Sequence, residues 1–216
     1  MAVPEQDRSR TRRQRILDAS IAVFSRKGYR DTVVDEIAAE SETSKGGIYF
    51  HFPNKQTIFL ALLEQMGNLL IQRVEEAMAG ITDPVARGDA ALLTVLRTFA
   101  AHRGLARLFL VEAMGAGREF NQAMMDLHAR FATLITEHLD DTVARGLIPP
   151  LDTDVAGVAW FGAVNEVTTR WVLRAHPERL EDVYPTLREL LARGAGITLD
   201  QSGGCRPECV VHEIRE

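Results

Sequence analysis

The sequence predicts an all-α protein of about nine helices, and three observations predict it. Apolar residues recur at helical spacing in one segment after another, beginning with Leu17, Ile21 and Phe24. No segment alternates apolar and polar residues as a half-buried strand does, and no internal repeat is present. Residues 32–59, TVVDEIAAESETSKGGIYFHFPNKQTIF, divide into two short helices around a tight polar turn, Ser41 to Thr43.

Taken in order, residues 1–7 read as a loose leader. The first helix runs from about Arg12 to Lys27, and Gly28 ends it as a C-terminal cap. Thr32 is the expected N-cap of the second helix, whose apolar positions are Val33, Val34, Ile37 and Ala38. Ser44 to Tyr49 form the third. The fourth starts at Pro53-Asn54-Lys55 and carries Phe59, Leu62, Leu63, Met66, Leu70 and Val74 to about Met78. Asp83 and Pro84 open the fifth as N-cap and first-turn proline, with Leu92, Leu96 and Phe99 as its stripe.

A short, very apolar helix spans residues 105–114. The next, from about Arg118 to Arg145, puts Phe120, Met124, Leu127, Phe131, Leu134 and His138 on one face. Asp152 and Thr153 cap a helix that runs to His176-Pro177. The last spans roughly Leu180 to Arg193, with Val183, Leu187, Leu190 and Leu191 on its apolar face.

Composition bounds the function. The chain has 216 residues, enough for one domain or two small ones, and 46% of them are hydrophobic, ample for a core. The net charge is −5, which excludes a wholly basic nucleic-acid coat. The charge is uneven, however: residues 1–56 hold 10 Lys/Arg against 8 Asp/Glu, and the remainder 15 against 22. Five arginines fall between Arg8 and Arg15, so a basic head on an acidic body suits DNA contact through one end. No apolar run is long enough to span a membrane and none resembles a signal-peptide core, so the expected location is cytoplasmic, with no membrane partner.

Helix, short turn, helix is the unit that sets a recognition helix in the DNA major groove. Thr43, Ser44 and Lys45 are donors at the start of the second helix, the end that meets base edges. Gly46 and Gly47 each cost about 1 kcal/mol relative to alanine in a helix, a cost that makes sense where a partner's backbone approaches closely. Tyr49, His51 and Lys55 carry donors suited to phosphate oxygens, as do Arg12, Arg13 and the hydroxyl or N–H of Thr32.

IAAESETSKGGIYFHFPNKQTIF closely resembles the DNA-binding signature of the tetracycline-repressor (TetR) family, and ILDASIAVFSRKGYRDTVVDEIA resembles that family's first helix and the entry to its second. The resemblance extends from Arg12 to Leu63. One departure is Glu42, where the family usually has Gly in the turn; a non-Gly residue in left-handed conformation costs about 1–2 kcal/mol. The resemblance implies a DNA-binding domain over residues 1–56, a ligand-binding and dimerisation domain over 57–199, and a flexible tail over 200–216. It implies a homodimer on a palindromic operator, repression as the default, and a fourth helix that carries the signal.

The body is expected to bind a hydrophobic small molecule rather than a cofactor. Phe99, Phe109, Met114, Met124, Phe131, Leu134, Ile135 and Phe161 are candidates to line an apolar cavity, against the plainer reading of a packed core. Asn165, Glu166, Thr168 and Thr169 are polar residues inside an apolar helix; each needs a partner, and Asn165 is the candidate for a ligand head group. FGAVNEVTTRWVL, residues 161–173, and residues 105–114 are similar to segments of TetR-family repressors of fatty-acid degradation, which respond to long-chain acyl-CoA. On that resemblance Arg103, Arg107 and Arg118 are candidates for the mouth of the cavity. The same helix, with Trp160, Val164, Val167 and Trp171 in one row and Val155, Val158, Gly162 and Ala163 on others, is apolar on more than one side, as a helix with both a core and a partner would be.

Three alternatives share the field: a regulator of efflux or of the response to aromatic compounds, a constitutive DNA-binding dimer without ligand, and an enzyme built on His128, His138 and Glu166. No nucleophile elbow, phosphate-binding glycine loop or HExxH motif supports the last. Cys205, Cys209 and His212 do not have the spacing of a common zinc site. Neither a metal nor a catalytic group is expected.

Overall fold

The structure is a computed structural model that describes residues 5–113 and 117–197, with side chains from Arg10 onward. Among the described residues the regular structure is helical throughout. In order these are α1 (Glu5–Lys27), α2 (Val34–Glu40), α3 (Lys45–His51), α4 (Lys55–Met78), α5 (Pro84–Ala101), α6 (Arg103–Arg107), α7 (Arg118–Ala144), α8 (Thr153–Arg174) and α9 (Tyr184–Gly194). A π-helical turn, Leu108–Glu112, follows α6, and a 3-10 turn, Leu180–Val183, precedes α9.

Several boundaries differ from the sequence expectation. Helix α1 starts at Glu5, because Gln, Glu and Arg are good helix formers even where no apolar face marks the helix. The N-cap of α2 is Val33, not Thr32: the Val33 N–H donates to the Glu36 carboxylate at 3.2 Å, while the Thr32 hydroxyl turns back to donate to the Gly28 carbonyl at 2.7 Å. The apolar segment after residue 102 is not one α-helix but a short α-helix running into the π turn. Helix α8 stops at Arg174, where Ala175 takes φ 53. In the last helix Leu187 and Leu191 are buried but Leu190 is exposed, and Pro185 sits in the first α-helical turn, where its missing N–H costs nothing.

Other expectations hold at the level of single bonds. Gly28 closes α1 at φ 84 with its N–H on the Phe24 carbonyl. Asp83 caps α5 through Ala86 N–H at 2.7 Å, and Asp152 caps α8 through Val155 N–H at 3.0 Å.

The described residues form two compact units, one of those up to 69 together with those in 102–125, the other of 70–101 together with those from 126 onward. This grouping is not sequential, so the segment from His102 to Met125 belongs with α1–α3, and α4 and α7 each contribute to both units. The first unit is centred on Phe24, Ile37, Ile48, Phe59 and Phe120, all at most 1% exposed. Rings of Tyr29, Phe59 and Phe120 meet at centroid distances of 4.7 to 5.4 Å. In the second unit, Gly157 lets α8 approach α7 closely: a Cβ there would lie 2.4 Å from Thr136 Oγ1.

Candidate nucleic-acid interface and effector cavity

The loop between α1 and α2 is built from its backbone. Lys55, at the start of α4, donates all three ammonium protons to backbone carbonyls, those of Tyr29 at 2.7 Å, Arg30 at 3.0 Å and Thr32 at 2.7 Å. Its ammonium also lies 4.6 Å from the Tyr29 ring centroid. On the other side the Tyr29 N–H donates to Glu112 Oε2 at 2.7 Å, from the end of the π turn. Lys55 and Thr32 are therefore spent inside the protein. Thr32 is 1% exposed, so neither its hydroxyl nor the Lys55 ammonium projects as the phosphate donor that sequence spacing suggests.

The opposite holds on α3. Ser44 caps this helix by accepting from Gly47 N–H at 3.1 Å. Ile48 and Phe52 bury its inner face, and Lys45, Gly46, Tyr49 and Phe50 lie exposed on the outer one. Lys45 holds Asp35 at 2.9 Å in an exposed pair, which raises the Lys45 pKa. Thr43 donates to the Ser41 carbonyl at 3.1 Å.

The two glycines have different surroundings. A Cβ on Gly46 would meet nothing within 4 Å, whereas one on Gly47 would lie 2.8 Å from Thr43 Cγ2. Gly47 is thus needed for the packing of the turn, and Gly46 has no such internal reason. Glu42 does occupy the left-handed turn position, at φ 50, with its side chain exposed.

His51 closes the outer face. Its Nε2 is buried without a hydrogen-bond partner. Its pKa lies below the ordinary histidine value, chiefly through burial and then through Arg12 and Arg13 on α1. Arg13 also sits 5.1 Å over the Phe52 ring, so α1 and α3 present two arginines and an imidazole together. Phe50, 80% exposed, was not among the sequence candidates. The signal was available: with Ile48 and Phe52 inward, position 50 points away from the core.

The second unit contains an apolar cavity of about 160 Å³. Val85, Leu92 and Val95 of α5, Phe131, Leu134 and Ile135 of α7, and Trp160, Phe161 and Val164 of α8 supply most of its wall. Its ionisable lining residues are Asp89, His138 and Arg188. Arg188 Nε bonds Asp89 Oδ1 at 2.7 Å, and Tyr184 hydrogen-bonds both. The His138 pKa lies below the ordinary histidine value, chiefly through burial and then through Arg87, with Asp141 and a bond to the Pro84 backbone opposing; its Nδ1 has no partner.

The ligand candidates read from sequence are divided between the two units. Phe131, Leu134, Ile135 and Phe161 line the cavity. Phe99 and Asn165 lie in the same unit but off its wall, and Arg103, Arg107, Phe109, Met124 and Arg118 belong to the other unit. Periodicity finds the buried face of a helix but not which neighbour that face meets. Met114 and the Cys205, Cys209, His212 group lie outside the described residues. Of the polar residues of α8, Thr168 bonds the Val164 carbonyl and Glu166 pairs with Arg170. Val155 and Val158, with Gly162 beside them, face outward, as does Leu190 of α9.

Among the described residues no helix is long and apolar enough to cross a membrane, and no group of three or more His, Cys, Asp or Glu is placed to hold a metal ion.

Residues 16–62 match the family model described as bacterial regulatory proteins, tetR family, and residues 82–194 match the tetracyclin repressor-like C-terminal domain. The fatty acid metabolism regulator protein of Bacillus subtilis is 25% identical over 189 residues, 86% of this chain and 96% of that protein. The HTH-type transcriptional regulator TtgR of Pseudomonas putida is 27% identical over 173 residues, 74% of this chain and 80% of that protein. A solved structure of the transcriptional regulator FadR from Bacillus subtilis in complex with stearoyl-CoA aligns with a TM-score of 0.78 at 24% identity, over 84% of this chain and 98% of that one.

Proposed function

Because the chain belongs to the TetR family of bacterial regulatory proteins, we propose that this transcriptional regulator is a ligand-released repressor, acting as a homodimer on a palindromic operator. The observation that carries the DNA-binding part is the outer face of α3, with Ser44, Lys45, Gly46, Tyr49 and Phe50 exposed on a short helix anchored by Ile48 and Phe52. Thr43 to Gly47 meet bases and the adjacent sugar-phosphate, while Tyr49, His51, Arg12 and Arg13 meet phosphates. One such helix reads too few bases for specificity, and two spaced by about 34–36 Å read two half-sites. The outward Val155, Val158 and Gly162 of α8 and Leu190 of α9 supply the apolar faces that pair the subunits.

The effector is a hydrophobic small molecule held in the cavity of the second unit, and a long-chain acyl-CoA is the first candidate. The relatedness to a fatty acid metabolism regulator and the apolar wall support this reading. The likeness to TtgR keeps other apolar effectors in the test. Ligand favours a conformation whose recognition helices leave operator spacing. By linkage, operator and ligand then weaken each other equally, about 5–150-fold for a coupling of about 1–3 kcal/mol.

The test is fluorescence anisotropy on DNA from the region upstream of the protein's own gene, at fixed salt, with and without long-chain acyl-CoA. Specific binding that acyl-CoA abolishes is the expected result. Specific binding that no apolar ligand alters would leave a constitutive repressor. Failure on this DNA and on operators selected from random sequence would reject the α3 assignment.

A further inference from the structure

Two ionic groups flank the cavity, and they differ in how well they are neutralised. Arg188 and Asp89 form a tight pair at 2.7 Å, reinforced by Tyr184, so neither charge lacks a partner. The second group lies where α5 meets α7. Arg87 Nη1 and Arg145 Nη1 share a single carboxylate oxygen, Asp141 Oδ2, at 3.5 and 3.4 Å. Charge-assisted bonds from an arginine to a carboxylate run at about 2.7–2.9 Å, so this one oxygen neutralises neither guanidinium well. Arg87 Nε is buried with no hydrogen-bond partner, and Arg145 turns to the Thr82 carbonyl at 3.1 Å. Of the nearby carboxylates, Asp83 caps α5 and Asp140 accepts from Thr153.

This cluster adjoins the cavity wall. Arg87 directly precedes the lining residue Gly88, and Asp141 lies one helical turn after the lining residue His138. The cavity resembles in size a dry apolar cavity of about 150 Å³ that takes benzene, so it admits a ring or part of a chain but no charged head group.

Resting on the effector reading above, we infer that Arg87 and Arg145 are the head-group site of the effector, which is an amphipath with an anionic carboxylate or phosphate. Its apolar end fills the cavity, and its anion replaces Asp141 as the group the two arginines share.

The emission of Trp160, which lines the cavity, reports occupancy. The purified protein is titrated with dodecanoate, dodecanoyl-CoA and 1-dodecanol, each below its micellar concentration. At least one anionic probe is expected to bind about tenfold more tightly than the alcohol, a difference of about 1.4 kcal/mol, because a bond to a charged group is stronger than one to a neutral group. Which anionic probe wins separates a carboxylate from a phosphate head. The double variant Arg87→Gln, Arg145→Gln is expected to lose that preference and keep the wild-type affinity for 1-dodecanol, which also shows that the cavity has folded. Leu134→Trp, which fills the cavity, is expected to lose all three probes. An alcohol that binds as tightly as both anions, or a double variant that keeps the preference, overturns the head-group site and leaves the cavity reading standing. Binding of no probe overturns both.

Discussion

The loop after α1 and the outer face of α3 lie in the same compact unit and treat their polar groups in opposite ways. In the loop nearly everything is consumed internally: three carbonyls bind the Lys55 ammonium, the Tyr29 N–H binds Glu112, and the Thr32 hydroxyl binds Gly28. On α3 the donors project into solvent from a helix whose other side is fully buried. The same class of residue, a donor beside a helix end, is scaffold in one region and exposed surface, proposed above to meet DNA, in the other. A motif carries both kinds of residue with equal regularity, so only the bonding separates them.

The largest effect is expected at Lys55. Replacing it with Met keeps the apolar stem and removes bonds from one charged group to three carbonyls, for a loss of about 3 kcal/mol. Urea unfolding should show this as a lower midpoint, and operator binding should weaken because the loop that seats α2 has loosened. A phosphate-only lysine behaves differently: its loss leaves the midpoint in place and lowers the salt slope of binding by about one. That outcome would erase the distinction between the two regions.

The adjacent glycines sharpen it. Gly47→Ala forces a methyl to 2.8 Å from Thr43 Cγ2 and should cost about 1–2 kcal/mol of stability. Gly46→Ala meets nothing within the protein, and alanine's helix propensity should stabilise it by up to about 1 kcal/mol. Yet the same methyl projects from the outer face, so operator affinity should fall. Thermal unfolding and anisotropy on both variants check this. A Gly46→Ala variant that binds operator as tightly as wild type would show that no DNA backbone approaches there.

How far the sequence reached follows the same line. The helix–turn–helix was legible because apolar spacing, polar turn residues and paired glycines all fall within one short segment. The role of Lys55 was not, because its partners are backbone carbonyls of residues 29–32, which leave no mark on side-chain identity. The first turns of α1 escaped because they have no apolar face to repeat. In the body, Phe131, Leu134, Ile135, Phe161 and His138 share faces that the sequence marks, whereas Asp89 and Arg188 were missed as cavity residues. Charged side chains read as surface until a partner from a distant helix is known, and Asp89 meets Arg188 across 99 positions of chain. Helix α6, which carries Arg103 and Arg107, packs with α1, where Gly104 brings it close to Ser25; that contact too leaves no periodic signal in the sequence.

The smallest effect expected is one of pH. In the free protein burial, Arg12 and Arg13 hold the His51 pKa below its ordinary value of about 6.5, so the imidazole is neutral near pH 7. A phosphate placed beside it favours the charged form and raises that pKa in the complex. The bound state then takes up a proton, so operator affinity should rise as pH falls from the bound pKa towards the lower, free one, and level off below that. A difference of one unit between the two corresponds to about 1.4 kcal/mol, or about tenfold in affinity. Measured at constant ionic strength, His51→Gln should flatten the profile while retaining a hydrogen-bonding side chain. A wild-type affinity that is flat with pH would place His51 on the scaffold side of the comparison, beside Lys55, rather than on the DNA.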